Sequence, residues 1–181
     1  STGTCTSAIP IKKNDIVFNF AGLSDLDDAK NKPLQTANLN IIGSINILLV
    51  CKKKKVKKFI HASSIYANTE EGGFYAASKR AAEDYIERFC KKYKIKFSVL
   101  RFGSLYGPRS DRGNGVNTMI LDSLKKNKLI YYGNRRAQRK YIHIKDAVKI
   151  CANIPNKKYD NKFLNITGSK TTKVNQLLKS I

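Results

Sequence analysis

Between residues 15 and 102, short apolar runs of strand character alternate with long stretches of helical periodicity, and no hairpin-turn signal joins them. Asp15–Gly22 (DIVFNFAG), Phe59–Ser63 and Lys96–Phe102 are the strand-like runs. Between the first two, Leu39, Ile42, Ile45, Asn46 and Leu49 recur at helical spacing, so Pro33–Cys51 is expected to be a helix with its proline in the first turn. After the second run, Ala81, Ala82, Tyr85, Ile86, Phe89, Cys90 and Tyr93 mark one face of an amphipathic helix. Parallel strands need crossover connections, and a helix is the usual one. The order therefore predicts an α/β fold with a doubly wound parallel sheet covered on both faces.

Downstream the pattern is less regular. Gly103–Gly115 is rich in glycine and polar residues and is expected to be a long functional loop. Val116–Asn127 and Lys145–Ile154 have helical character, and Leu129–Tyr132 and Lys140–Ile144 read as short strands. Lys162–Thr167 reads as one more strand, ended by Gly168, and a last helix is expected from about Lys173.

The chemistry centres on Tyr75 and Lys79, four residues apart and so on one face of a helix. Eleven residues earlier, Ser64 ends the run FIHASS. A phenol titrates near pH ~10 in water and is a poor base at neutral pH. A neighbouring ammonium favours the phenolate. The three side chains together can move a proton to or from a substrate oxygen, with Ser64 holding that oxygen. Ser63 is the rival for the serine role.

The chain has 181 residues, 41% hydrophobic, enough for one core. The longest apolar run, Ile41–Cys51, is broken by Gly43, Ser44 and Asn46, so no transmembrane span and no membrane partner are expected. Cys5, Cys51, Cys90 and Cys151 form no Cys-x-x-Cys pair and lie apart from His61 and His143, so reduced thiols and no metal site are expected. His143 is expected to pack under the sheet. The net charge of +22 attracts polyanions. The one dense run, Lys52–Lys55 with Lys57 and Lys58, follows a helix whose dipole it complements, and no aromatic residues interleave it. Nucleic acid is therefore weighed against as a partner.

Several segments, taken together, resemble the extended short-chain dehydrogenase/reductases of the NAD-dependent sugar-nucleotide epimerase/dehydratase group. Asn19-Phe20-Ala21-Gly22 resembles the strand end that flanks the dinucleotide, and Asn38 with Gly43-Ser44-Ile45-Asn46-Ile47-Leu48 resembles the family's N-x4-G-[TS]-x-N-x-L helix. Ser63-Ser64 and Tyr75/Lys79 resemble the catalytic strand end and helix. Arg101–Arg109 (RFGSLYGPR) resembles the R-x-x-N-x-Y-G-P turn, and Arg139–Asp146 resembles the R-[DE]-[FY]-I-[HY]-V-x-D segment.

The resemblance implies a partial Rossmann-like domain over residues 1–102 and a small C-terminal substrate-binding lobe over 103–181, with 162–167 returning to the main sheet. It implies NAD or NADP as cofactor and a nucleotide-sugar as substrate. Ser64, Tyr75 and Lys79 would be catalytic. Ala21 and Gly22, whose small size permits close approach, would lie with Tyr75, Lys79 and Arg101 at the cofactor, and Ser104, Arg109 and Arg139 would bind substrate. It further implies a homodimer through two helices; the cytoplasmic location is expected from the scattered cysteines.

Departures from the family pattern are specific. Ser104 stands where many relatives have Asn, Asn68 where many have Tyr, and Lys140 where an acid is usual, and the Ser64–Tyr75 spacing is short. No Gly-x-Gly-x-x-Gly turn precedes the site. The expectation is that the chain begins mid-protein, short of roughly 60 residues or more, given ~30 per βαβ unit. On that reading this chain by itself binds NAD poorly and is weakly active or inactive.

Overall fold

Ile16–Asn19 forms β1, Lys58–Ser64 forms β2, Lys96–Phe102 forms β3 and Lys162–Ile166 forms β7. In the computed structural model, which describes residues 10–110, 113–127, 129, 131 and 133–181, these four strands make one wholly parallel sheet in the order β1-β2-β3-β7. The register sets Ile16 beside Lys58, Lys58 beside Lys96 and Ser98 beside Lys162. All four strands therefore start at one edge of the molecule. The expected strand over Asp15–Gly22 is shorter than its apolar run, because Gly22 (φ 149°) turns the chain away.

Leu26–Asn31 is helix α1, which carries no periodic signal. It is started by Asp25, whose side chain accepts from the N–H groups of Asp27 and Asp28. The helix expected over Pro33–Cys51 runs on to Lys53 in three parts: α2 (Pro33–Ala37), a π-turn (Asn38–Ile42) and α3 (Gly43–Lys53). Gly73–Tyr93 is the long helix α4, which ends at a left-handed Lys94.

Side chains alternate across each strand, and the two faces build two cores. Phe59, Phe97 and Val99 pack with Leu48 and Cys51 of α3 and with Ile86 and Cys90 of α4. Ile60 and Leu100 point the other way and meet Ile142, Ala147 and Ile154. Those come from β6 (Tyr141–His143), α6 (Ile144–Asn153) and the residue that ends α6. The result is a three-layer α/β/α domain, as the alternating pattern predicts. Lys58, at the start of β2, is buried and tied to the α6–β7 connection. Its Nζ donates to the Ile154 and Asn156 carbonyls at 2.7 and 3.3 Å and pairs with Asp160 at 2.8 Å.

The Gly103–Gly115 segment is not all loop. Ser104–Tyr106 forms β4, which pairs in parallel with β6. Three residues are too few for a periodic signal, and the pairing spans some 35 residues of chain. Gly115–Lys126 is α5. Part of the strand expected over Leu129–Tyr132 lies outside the described residues, and Leu129 and Tyr131 are not in a strand. Gln138–Arg139 (β5) pairs antiparallel with Thr172–Lys173 (β8), which leads into α7 (Val174–Leu178). His143 does not pack under the sheet. It caps α6, with Nδ1 accepting from the Lys145 N–H.

By length and composition, the helix over Pro33–Lys53 is long and apolar enough to cross a membrane, unlike the shorter interrupted run weighed from sequence. In this fold it is a covering helix. Asn40, Ser44, Leu48 and Cys51 are buried, while Leu34, Leu39, Ile42, Leu49 and Val50 face outward. Burial holds the Cys51 and Cys90 thiols protonated, at about 11 and about 12.

Candidate active site

The site lies where β2 ends and α4 begins, at the C-terminal edge of the sheet. Ser64 closes β2 and starts a 3-10 turn (Ile65–Asn68), its Oγ accepting from the Tyr66 N–H at 3.3 Å. Gly72 (φ 92°) then reverses the chain into α4. A Cβ there would meet the Tyr66 ring at 3.3 Å, so glycine lets that ring pack close to the helix start. Tyr75 and Lys79 follow at one-turn spacing, and Ser64, Tyr75 and Lys79 are all buried.

The Lys79 ammonium donates to the Ala62 carbonyl at 3.1 Å and lies 5.7 Å from the centre of the Tyr75 ring. Gly22 closes the other side, where a Cβ would stand 3.6 Å from Lys79 Nζ and 2.6 Å from Asn40 Oδ1. Ala21 lies exposed in the same turn. The structure thus brings Ser64, Tyr75, Lys79 and the Ala21-Gly22 turn to one place.

The electrostatics differ from the simple expectation that Lys79 lowers the Tyr75 pKa. Burial pushes the phenol above its ordinary value, partly countered by a hydrogen bond with Ser64 and slightly reinforced by Tyr66. Burial lowers Lys79 to about 8, against an opposing pull from Glu83. Lys79 therefore releases its proton before Tyr75 does, and Ser64 is the group that favours the phenolate. His61, one strand position inward from Ala62, is lowered to about 3 by burial and by the Lys79 charge, and is neutral.

Asn40 is the member of the site that the sequence did not single out. It sits in the π-turn, where Oδ1 accepts from Leu23 N–H at 2.8 Å and Nδ2 donates to Leu23 O at 3.0 Å and Ser78 Oγ at 2.9 Å. It clamps the turn after β1 onto α4 beside Lys79. Ser44 Oγ donates to the Asn40 carbonyl and accepts from Asn19 Nδ2, which also faces His61 Nδ1 at 3.3 Å. Asn19 Oδ1 and His61 Nε2 are buried without a hydrogen-bond partner.

The expected arginines divide. Arg101 does not reach the Tyr75–Lys79 face. Its guanidinium forms a two-pronged pair with Glu83, including 2.6 Å from Nη2 to Oε2, and lies over the Phe163 ring. Ser63 donates a short hydrogen bond to the same carboxylate, so Ser63 is engaged away from Tyr75. Arg139, by contrast, donates from Nη1 to Tyr66 Oη at 2.6 Å, and the Tyr66 ring meets Tyr75 edge to face at 6.4 Å. Arg139 is thereby linked to the site through a tyrosine the sequence did not mark. Ser104 is half-buried in β4, with its N–H on the Lys140 carbonyl. Arg109 is exposed in a left-handed conformation (φ 65°). Among the described residues, no group of His, Cys, Asp and Glu is placed to hold a metal ion.

Comparison with known proteins agrees with this architecture. The profile of the NAD-dependent epimerase/dehydratase family matches residues 3–166. A putative UDP-glucose 4-epimerase of Methanocaldococcus jannaschii is 28% identical over 96% of this chain and 62% of its own length. The crystal structure of Thermotoga maritima UDP-glucose 4-epimerase with UDP-glucose superposes with a TM-score of 0.82 at 31% identity, over 91% of this chain and 59% of that one. UDP-N-acetylglucosamine 4-epimerase of Methanobrevibacter ruminantium superposes with a TM-score of 0.84 at 25% identity, over 93% and 59%. The chain thus spans about 60% of the length of these relatives. With its parallel sheet and the profile match across most of its length, the chain belongs to the NAD-dependent epimerase/dehydratase family.

Proposed function

We propose that this chain carries the proton-transfer site of a nucleotide-sugar epimerase or dehydratase, with Tyr75 exchanging the proton and Ser64 orienting the sugar oxygen. The observation that carries the proposal is the burial of Ser64, Tyr75 and Lys79 side by side at the carboxyl edge of a parallel sheet, where ligands of open α/β sheets bind. Tyr75, as phenolate, takes the proton of the sugar hydroxyl as that carbon is oxidised and gives it back when the ketone is reduced. Burial makes the phenolate a strong base, the Ser64 hydroxyl favours it, and Lys79, lowered to about 8, is the neighbouring group that gives up its proton more readily than the phenol.

The residues present fit the nicotinamide end of NAD. Gly22 leaves the space beside Lys79 that a side chain would fill, and Lys79 offers ammonium protons to a ribose. When bound, NAD supplies reversible two-electron oxidation of a sugar carbon. Arg139 and Arg109 are the proposed phosphate ligands of the nucleotide-sugar, Arg139 with Tyr66 as its support. Ser104 is the proposed sugar contact. Arg101 is proposed to act only by holding Glu83 and, through it, α4 against β3.

A second reading has its own observation. The chain contains no glycine-rich turn to cradle the pyrophosphate, so this chain alone is proposed to bind NAD weakly and to turn over slowly or not at all. The outward apolar residues Leu34, Leu39, Ile42, Leu49 and Val50 of the Pro33–Lys53 helix, with Tyr85 of α4, support a homodimer through these helices.

The test is calorimetric titration of NAD into the folded chain, followed by UDP-glucose conversion at saturating NAD for the wild type and for Tyr75→Phe. Turnover that falls at least ~100-fold in Tyr75→Phe supports the site. Turnover unchanged by Tyr75→Phe refutes it. A folded chain that binds no NAD supports the second reading.

A further inference from the structure

Half of the chain's lysines stand at one end of the molecule. Because all four strands of the main sheet start at the same edge, the segments that enter them are brought together there. Lys12 and Lys13 precede β1, Lys52–Lys55 and Lys57 join α3 to β2, and Lys91, Lys92, Lys94 and Lys96 join α4 to β3. Lys157, Lys158 and Lys162 join α6 to β7. These are 14 lysines, all exposed, contributed by four connections far apart in sequence. Cross-links confirm the neighbourhood: Asn14 N–H donates to the Lys55 carbonyl, Lys57 N–H to the Asp15 carbonyl, and Lys52 and Lys92 both lie over the Tyr93 ring.

Acidic residues are few at this end. Asp160 is taken by buried Lys58, Glu87 pairs with Lys91, and the Asp15 carboxylate accepts from the Lys12 backbone N–H. Complementing helix dipoles accounts for lysines in the last turns of α3 and α4. It does not account for those before β1, within β3 and β7, or in the α6–β7 connection.

We infer that this lysine pole is a docking surface for an anionic lipid bilayer. The chemistry favours a flat, diffuse anionic plane over a nucleic acid. The four connections carry lysines and no arginine, so they offer mobile point charges and not the rigid fork that grips individual phosphates. The C-terminal ends of α3, α4 and α6 face it, and their carbonyl ends disfavour close phosphate seating. Among the described residues, no exposed aromatic stacking platform stands among the lysines; Tyr93 and Tyr159 are half-buried beneath them. Polybasic clusters of this kind are held at anionic bilayers by long-range attraction within a Debye length of ~8 Å. The sequence-based expectation of no membrane partner weighed only spans, whereas this surface would bind from outside.

The test is co-sedimentation of the full chain with vesicles of phosphatidylcholine containing about 30% phosphatidylglycerol, and with phosphatidylcholine alone, at about 0.05 and 0.3 M salt. Two variants of equal charge change are compared: Lys52, Lys53, Lys54 and Lys55 all →Gln, and Lys30, Lys125, Lys149 and Lys170 all →Gln. All eight side chains are exposed, so both variants are expected to fold, with circular dichroism as the check. The expected result is binding to the anionic vesicles only, weakened by salt, and reduced at least ~10-fold in the first variant but less than ~3-fold in the second. Absence of binding at low salt overturns the inference, as does equal loss in both variants. Tighter binding to duplex DNA than to vesicles at matched phosphate also overturns it.

Discussion

His61 should make the chain acid-sensitive well above the range where carboxylates titrate. Its ring is buried against Phe59 with Nδ1 facing Asn19, and burial together with the Lys79 charge lowers its pKa from 6.5 to about 3. Protonation is therefore resisted in the fold and free in the unfolded chain. The sign follows from linkage: below pH ~6.5 the unfolded chain binds a proton that the fold does not, so stability falls as pH falls, until the folded form titrates near 3. At about pH 5 the loss is set almost wholly by the unfolded value and comes to about 2 kcal/mol relative to about pH 7.5. The full span to pH ~3 comes to about 4 kcal/mol. Urea unfolding at the two pH values, for wild type and His61→Gln, measures it. The glutamine keeps an acceptor for Asn19, and all other titrating groups cancel in the double difference. Wild type should lose about 2 kcal/mol more than His61→Gln between the two conditions. Equal losses would show that His61 protonates freely in the fold and that its burial has been misjudged.

Lys79→Met should stabilise the fold near pH 7 by up to ~3 kcal/mol while abolishing any turnover. The ammonium is held at about 8 against 10.5, so its penalty is fully present below pH 8 and relieved as pH rises towards 10.5; a lower thermal midpoint for the variant would contradict this. Arg101→Met leaves the buried Glu83 carboxylate with Ser63 alone and should cost ~3 kcal/mol or more, near ~10 °C in thermal midpoint. A midpoint within ~2 °C of wild type would disprove the positioning role. Gly22→Ala places a Cβ 2.6 Å from Asn40 Oδ1 at a φ of 149° and should destabilise by ~1–3 kcal/mol, read from urea midpoints. Asn40→Ala should cost a similar amount by freeing Leu23 and Ser78, and amide exchange at Leu23 should accelerate if the clamp is real.

What could be read from the sequence was local. Tyr75 and Lys79 needed only the spacing of one helical turn, and Ser64 only the end of one strand. The α/β class and the parallel sheet follow from alternation of elements, which needs no contact information; the strand order does not. The motif assigns Arg101 to the cofactor, yet strand parity places it with Phe97 and Val99 on the face that α4 covers. The same parity sets Ser63 with Phe59 and His61, towards Glu83. Tyr66 and Arg139 are 73 residues apart and meet only in the fold. α1 escaped notice because six residues started by Asp25 carry too little periodicity. Asn40 escaped because the resemblance is anchored on Asn38, which is exposed and lies about 200° around the helix from the buried Asn40.

The π-turn at Asn38–Ile42 separates two helical segments that are out of step with each other. One residue advances an α-helix by about 100°, so a wider turn works as a built-in insertion, and α2 and α3 each keep their own phase. Excising one residue here would let a continuous α-helix form with better backbone geometry. It would also swing everything on the amino-terminal side around the axis, carrying the Leu34 side of the surface to a new bearing and pulling the Asn40 amide off Leu23. The helix could thus become more regular while the loop after β1 lost its hold. A gain in helicity with a loss of cooperativity in unfolding would be the signature of that exchange.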